Sequence, residues 1–305
     1  MKKEIKNIEA SIKAKLQNKA KEAKQSYTEI LRYYGMERFL YRLSKSKYAD
    51  KFILKGALLF AVWNVPERRT TLDIDLLARF DNKVKSIEEA IKDICRVEVT
   101  PDGLRFDSET VEGRKIKEDA DYEGVRVKFT GFLNRSQIPM QIDFGFGDIV
   151  YPKAKIIDYP VILELPKPNL NGYPQETVIS EKFEAMIKLG ALNSRMKDYY
   201  DLWLMIRQLE FKGTHLVEAI KKTFKHRKTD IPQNKPLFAD EIYDEKSDRQ
   251  MLWNGFLKKG NIQHAPTTLS ETAKEIESFL INPVLAINDK VKFEKTWKPM
   301  KGWII

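Results

Sequence analysis

The chain has 305 residues, 42% of them hydrophobic and 11% aromatic, enough to bury a substantial core across two subdomains of ordinary size. Its 54 Lys and Arg against 44 Asp and Glu give a formal net charge of +10, which favours a polyanionic partner, nucleic acid first, because clustered bases release the counterions condensed on phosphates. A single cysteine, Cys95, excludes an intramolecular disulfide and a cysteine-built zinc site. It fits a cytoplasmic location, as does Met1-Lys2-Lys3-Glu4-Ile5, which opens on charge without the apolar run of a secretory signal; no segment has the apolar length to cross a bilayer, so no membrane partner is expected.

Residues 6–46 carry Ile8, Ile12 and Leu16, then Ile30, Leu31, Phe39, Leu40 and Leu43, at helical spacing among Lys and Glu. This predicts two or more amphipathic helices covering one side of a core. Strand-like runs follow at Lys51–Lys55 and Leu72–Leu77, then a helix at Ser86–Cys95 and strands near Val97–Thr100, Leu104–Phe106, Val125–Leu133 and Ile138–Phe144. The charged Asp107–Glu123 stretch around Gly113 reads as a hairpin connection or a mobile loop. Pro152, Pro160, Pro166, Pro168 and Pro174 then punctuate the chain, and the boundary is placed among them. Residues 1–165 are expected to form a mixed-sheet α/β domain with N-terminal helices, and residues 166–305 a mainly helical domain. Helices are predicted there at Ile179–Leu189, Asp198–Leu209, His215–His226, Asp248–Lys258 and Leu269–Phe279.

Chemistry concentrates in two places. Phe52-Ile53-Leu54-Lys55-Gly56-Ala57 is an apolar strand ending at a glycine, and it is followed by Leu72-Asp73-Ile74-Asp75-Leu76 with the basic pair Arg68-Arg69 between them. Alternate strand residues share a face, so Asp73 and Asp75 point one way while Leu72, Ile74 and Leu76 pack the other. Two open carboxylates suit Mg²⁺ or Mn²⁺, hard ions that keep waters and substrate phosphates in their shells. Ala57–Trp63 reads as a buried helix whose N–H groups would face a triphosphate brought close by the missing side chain of Gly56. In Ile138–Phe144 the alternation puts Gln141 and Asp143 on one face, so Asp143 would bridge into the same site and allow two ions. Asp148, after the Gly147 turn, competes for that role. Two exposed acids in a half-buried strand are the ordinary alternative for the pair.

The second place is helical. On a 100°-per-residue wheel, Lys182 projects within the apolar side formed by Ile179, Phe183, Met186, Ile187 and Leu189. An inward ammonium needs a partner such as a nucleotide phosphate, unless the stem merely snorkels. Asp198 falls between Met205 and Leu209 in the next helix, also inward, where it either favours the helix dipole or orients the lysine. Arg195 and Lys197 flank it, and Asp201 lies off the apolar stripe beside Gln208. The three histidines, His215, His226 and His264, have no zinc or triad spacing. The run Lys221–Lys228, six bases around Phe224, is either a phosphate-backbone contact for RNA or a solvated helix end. The tail Trp297–Trp303 either docks on the core or contacts a base.

Together, Glu37-Arg38-Phe39-Leu40-Tyr41-Arg42-Leu43-Ser44, the segment Phe52–Ala57, Arg69-Thr70-Thr71-Leu72-Asp73-Ile74-Asp75, Glu181-Lys182 and Arg195-Met196-Lys197-Asp198-Tyr199-Tyr200-Asp201 resemble the AbiEii/AbiGii toxin family, over roughly residues 30–210. That family is a branch of the nucleotidyltransferase superfamily found in toxin–antitoxin and abortive-infection systems. The resemblance implies a nucleotidyltransferase-like mixed sheet with a helical C-terminal domain completing the site. It implies catalytic roles for Asp73, Asp75, Lys182 and Asp198, with Asp73 and Asp75 as metal ligands beside the Asp143 expected from the strand alternation. Lys55, Gly56, Ala57, Arg69, Arg195 and Lys197 become the expected nucleotide-binding set. Ala57 departs from the superfamily pattern, which usually carries Ser or a second Gly there, and removes one phosphate hydrogen bond. The implied reaction moves a nucleoside monophosphate from an NTP, GTP or a pyrimidine NTP, to RNA such as the tRNA acceptor end, and the implied partner is a cognate antitoxin. The rival readings are a metal-dependent nuclease, which needs neither the Gly56 turn nor an inward Lys182, and a non-catalytic nucleotide- or RNA-binding module.

Overall fold

The computed structural model describes residues 7–119 and 122–305, with side chains described outside 117–123; the Met1–Ile5 segment read above for a signal lies outside the described residues. The chain divides into two units, each built from non-contiguous segments.

The first unit takes Met1–Val62, Thr71–Gly147 and Lys155–Gly172. Its helices are α1 (Ile8–Ala23), α2 (Tyr27–Lys45), α3 (Leu59–Val62) and α4 (Val84–Cys95). Its strands are β1 (Phe52–Lys55), β2 (Ile74–Ala78), β3 (Leu104–Asp119), β4 (Tyr122–Leu133), β5 (Ser136–Phe146), β6 (Lys155–Asp158) and β7 (Asn169–Gly172). They form one mixed sheet in the order β3-β4-β5-β2-β1-β7-β6, parallel at the β2/β5 and β1/β7 pairs. The expected N-terminal helices are present, and Asn7 and Ser26 start them by accepting from the amides of Ala10 and Glu29. Along α2, Tyr34, Phe39, Leu40 and Leu43 are fully buried.

The same helix buries charge. Arg42 forks onto Asp102 at 2.7 and 3.0 Å and donates to the Leu104 carbonyl, while Tyr34 donates to the carbonyl of Asp102. Glu37 accepts from the Ile162 amide at 2.6 Å, and Arg38 donates to the Pro166 carbonyl at 2.9 Å. Burial pushes the Glu37 carboxyl up to about 7. Glu37, Arg38 and Arg42 thus hold connections in place, because buried backbone groups outside the ladders need partners.

Three local expectations differ from what forms. Most of Asp107–Glu123 is not a connection but the paired length of β3 and β4, with a register shift between Asp107 and Glu112. Its polar residues are tolerated because β3 is the sheet edge, where Glu88 of α4 accepts the Gly113 amide at 2.7 Å. Val97–Thr100 is irregular, ending at Pro101, which has no amide to pair. The stretch after Gly56 makes only a 3₁₀ turn, Gly56–Leu58, and the four-residue α3 before Asn64 turns left-handed at φ 53°. That helix is too short to present a row of free N–H groups.

The second unit takes Trp63–Thr70, Asp148–Ala154 and Tyr173–Ile305. It contains α5 (Gln175–Leu189), α6 (Met196–Gln208), α7 (Gly213–Arg227), α8 (Asp240–Tyr243), α9 (Asp248–Gly260) and α10 (Leu269–Asn288). A small antiparallel sheet joins β8 (Phe211–Lys212), β9 (Thr296–Lys298) and β10 (Gly302–Ile304) in the order β10-β9-β8. The aromatic tail docks on the core: Trp297 donates to the Ile206 carbonyl at 2.7 Å, and Trp303 donates to the Phe279 carbonyl at 2.8 Å while stacking on the Phe279 ring at 5.3 Å. Both indoles are thereby satisfied, as amphipathic rings at a core edge require.

Candidate active site

In the first unit, strand register builds a row of charge. Arg126 on β4 pairs with Asp143 on β5, Asp143 with Asp75 on β2, and Asp75 with Lys55 at the end of β1. Cross-strand partners share a face, so the row reads cation, acid, acid, cation across four neighbouring strands. Asp73, two residues before Asp75, joins them: single oxygens of Asp73, Asp75 and Asp143 lie within 4.8 Å of one another. Asp73 is oriented by Thr71, whose hydroxyl donates to Oδ1 at 2.7 Å, and the Thr71 amide donates in turn to the Tyr33 hydroxyl on α2 at 3.0 Å. Leu72 does not pack inward with Ile74 and Leu76; it is 58% exposed, because β2 pairs only from Ile74 onward.

Gly56 abuts this cluster. Its φ is +72°, and a Cβ there would lie 1.9 Å from Oδ2 of Asp75. Glycine is required both by the left-handed backbone and by the carboxylate occupying the space a side chain would take. Ala57 is buried, at 7% exposure, so a longer residue there would have to find room in the core. Arg126, not anticipated from sequence, grips Asp143 with Nε at 2.8 Å and Nη2 at 2.6 Å. Its pKa is raised by the hydrogen bonds to Asp143, with the charges of Asp73 and Asp75 adding to the effect.

The second unit holds a separate ion network. Lys182 on α5 donates to Asp198 at 2.6 Å and lies 3.0 Å from Asp201, both on α6. Arg69 forks onto Asp201 at 2.9 Å on each arm, and Arg195 Nε lies 2.8 Å from the other oxygen of Asp198. Burial works against the charges of Lys182, Asp198 and Asp201, but the partners outweigh it. The Lys182 ammonium is raised above its ordinary value by Asp198 and Asp201, and Asp198 is lowered to about 2 by Lys182 and Arg195. The inward lysine of the sequence therefore meets carboxylates of its own chain. Asp201, which the helical wheel set aside, is 2% exposed and central. The wheel set it off the apolar stripe, whereas the structure buries it against partners from α5 and from Arg69 in the loop preceding Thr71. Lys197 is exposed.

The basic run at the end of α7 divides. Phe224 is fully buried and so cannot stack on a base; it packs on Phe183 at 5.1 Å. Arg227 turns inward to Asp148 and Glu184, at 2.9 Å each, so Asp148 is paired within the second unit. Lys225, His226 and Lys228 are exposed. Cys95 is buried, and burial pushes its thiol up to about 12, well away from reactivity.

Three hard oxygen donors beside a glycine that leaves them room fit a divalent cation such as Mg²⁺. Among the described residues no helix is long and apolar enough to cross a membrane. In structural comparison, JHP933 from Helicobacter pylori is 13% identical, with 87% of this chain and 98% of that chain covered at a TM-score of 0.43. A candidate nucleotidyltransferase from H. pylori is likewise 13% identical, with 84% and 95% covered at 0.44. No curated protein sequence matches the chain. A family model described as nucleotidyl transferase AbiEii toxin, type IV toxin–antitoxin system, matches residues 38–278 and spans every residue of both clusters. The chain belongs to this AbiEii family and is a nucleotidyltransferase.

Proposed function

We propose that the enzyme transfers a nucleoside monophosphate from an NTP, either GTP or a pyrimidine NTP, to a hydroxyl of an RNA acceptor such as the 3′ end of tRNA. In that reaction the hydroxyl oxygen bonds to the α-phosphorus, the bond to the pyrophosphate oxygen breaks with its electron pair, and the hydroxyl proton passes to solvent. The observation that carries the reading is the carboxylate cluster of Asp73, Asp75 and Asp143 with Gly56 against Asp75. Mg²⁺ or Mn²⁺ held at this cluster would supply charge neutralisation for the triphosphate and acidify the attacking hydroxyl.

The chain's own groups take the remaining roles. Thr71 and Tyr33 fix the rotamer of Asp73, and Lys55 balances Asp75 from the neighbouring strand. In the second unit Lys182, Asp198, Asp201 and Arg69 form an ionic base for the start of α6, with Lys182 and Arg195 favouring the charged form of Asp198. Arg195 and Lys197, the more exposed cations at that helix start, are assigned to nucleotide phosphate. The net charge of +10 supports RNA as acceptor, and membership of a type IV toxin–antitoxin family supports a cognate antitoxin and action in the cytoplasm.

The test is to incubate the protein with labelled NTPs, Mg²⁺ and total RNA and to resolve the RNA by size. Labelled, lengthened RNA supports transfer. Shortened RNA supports a nuclease, and unchanged RNA with retained NTP a binding module; either result overturns the proposal. Asp73→Ala, with its fold verified by circular dichroism, abolishes the labelled product.

A further inference from the structure

We infer that Arg126 occupies the place a second cation would take, so that Asp143 serves as the anchor of this arginine and the cluster holds one divalent ion, on Asp73 and Asp75. The inference rests on the metal-dependent reading above and goes beyond it by assigning the ion count to a side chain.

Three observations carry it. The guanidinium uses both of its aligned edges on Asp143, and both Asp143 oxygens are taken, at 2.8 and 2.6 Å. A fork of this kind is among the stronger and more directional pairings available to a carboxylate. The pair is also set by the fold, since β4 and β5 place Arg126 and Asp143 in register within a continuous run of pairing from Val125 to Leu133. Finally, exposure separates the three carboxylates. The Asp143 side chain is 9% exposed, whereas Asp73 and Asp75 are half-buried. Arg126 itself, 29% exposed, keeps Nη1 for a further anion after Nε and Nη2 are engaged, as a positive group beside a triphosphate requires.

The charge count agrees. Three carboxylates against Arg126 and Lys55 leave a net charge of −1 on the first-unit cluster, a modest field for two divalent ions and an ample one for a single ion. Two-ion sites that steady both attacking and leaving oxygens keep their ions about 3.5–4 Å apart and need a carboxylate free to reach both. Here the residue positioned for that bridge is already committed to an arginine.

Mn²⁺ titration of the full chain followed by electron paramagnetic resonance tests this without reference to turnover. The wild type is expected to bind a single Mn²⁺ with the signal of an isolated ion, lost in Asp75→Ala. Arg126→Met frees Asp143 and is expected to bind a second ion with a spin-coupled signal; adding Asp143→Asn returns the count to one. Arg126→Lys retains the cation and the single ion, and it remains decisive if the methionine variant fails to fold. A coupled pair in the wild type overturns the inference while leaving metal dependence intact. A count of one in folded Arg126→Met, or of two in Arg126→Lys, also overturns it. Absence of any Mn²⁺ binding in the wild type overturns both readings.

Discussion

Gly56→Ala is the sharpest perturbation of the carboxylate cluster, because its effect divides into two parts that a second glycine separates. The first part is backbone: a φ of +72° is left-handed and costs an alanine about 1–2 kcal/mol. The second is the new methyl, which would lie 1.9 Å from Oδ2, 2.7 Å from Cγ and 2.8 Å from Cβ of Asp75. Rotating the carboxylate away does not clear it, since Cβ itself is inside contact distance and is carried by a β2 residue paired to Lys55. Strand or turn must shift, an overpacking cost of about 1–3 kcal/mol more. Gly147 has nearly the same backbone, φ +80°, but nothing within 4 Å of its Cβ, so Gly147→Ala carries the first part alone. Urea unfolding should show Gly147→Ala less stable by about 1–2 kcal/mol and Gly56→Ala by about 2–5 kcal/mol. Mn²⁺ affinity should fall at least about tenfold in Gly56→Ala, the scale of a mispositioned ligand, and stay unchanged in Gly147→Ala. Equal stability losses and equal Mn²⁺ affinity in the two variants would refute the claim that Gly56 exists to make room for Asp75.

Other outcomes follow from the second unit. Asp201→Asn strips the shared acid from Arg69 and Lys182, and removing one member of a buried network should cost about 3–5 kcal/mol in urea unfolding; a loss below about 1 kcal/mol would mean the network is slack. Asp198 is lowered from 3.8 to about 2, so its contribution, about 2 kcal/mol, is present above pH 3.8 and lost as pH falls toward 2. The stability gap between wild type and Asp198→Asn should therefore narrow as pH falls from 3.8 toward 2, and a constant gap would contradict the assignment. Arg227→Met should reduce stability by about 3–5 kcal/mol through its buried acids while leaving the salt dependence of RNA binding unchanged; a shallower salt slope in a folded variant would show that Arg227 contacts phosphate after all.

Much of this was readable from local pattern. The alternation in Leu72–Leu76 and Ile138–Phe144 foretold which strands carry the acids, and the 3.6-residue period located α5 to α7 and α9 to within a few residues at each end, with α10 running nine residues past its predicted end. What pattern could not supply was register. Arg126 looks like any exposed strand base until β4 is laid against β5, and Asp201 looks peripheral until Arg69 reaches it from 132 residues away. Charge at the sheet edge misled in the opposite direction, since Asp107–Asp119 is polar because β3 has one neighbour and not because it is a loop. Phe224 and Arg227 show the same limit: a basic run reports composition, while the helix decides which members face inward.

The segmented make-up of the two units has its own consequence for how the molecule is made. The chain leaves and re-enters each unit at residues 62/63, 70/71, 147/148, 154/155 and 172/173, so a ribosome delivers Arg69 and Asp148 long before Asp201 and Arg227 exist to receive them. A fragment starting at Tyr173 would lack both early partners and also the Tyr151 backbone that exchanges two hydrogen bonds with Thr177. Neither unit is a cassette that one cut could release, and the tethers made early meet their partners only once the later half has been synthesised.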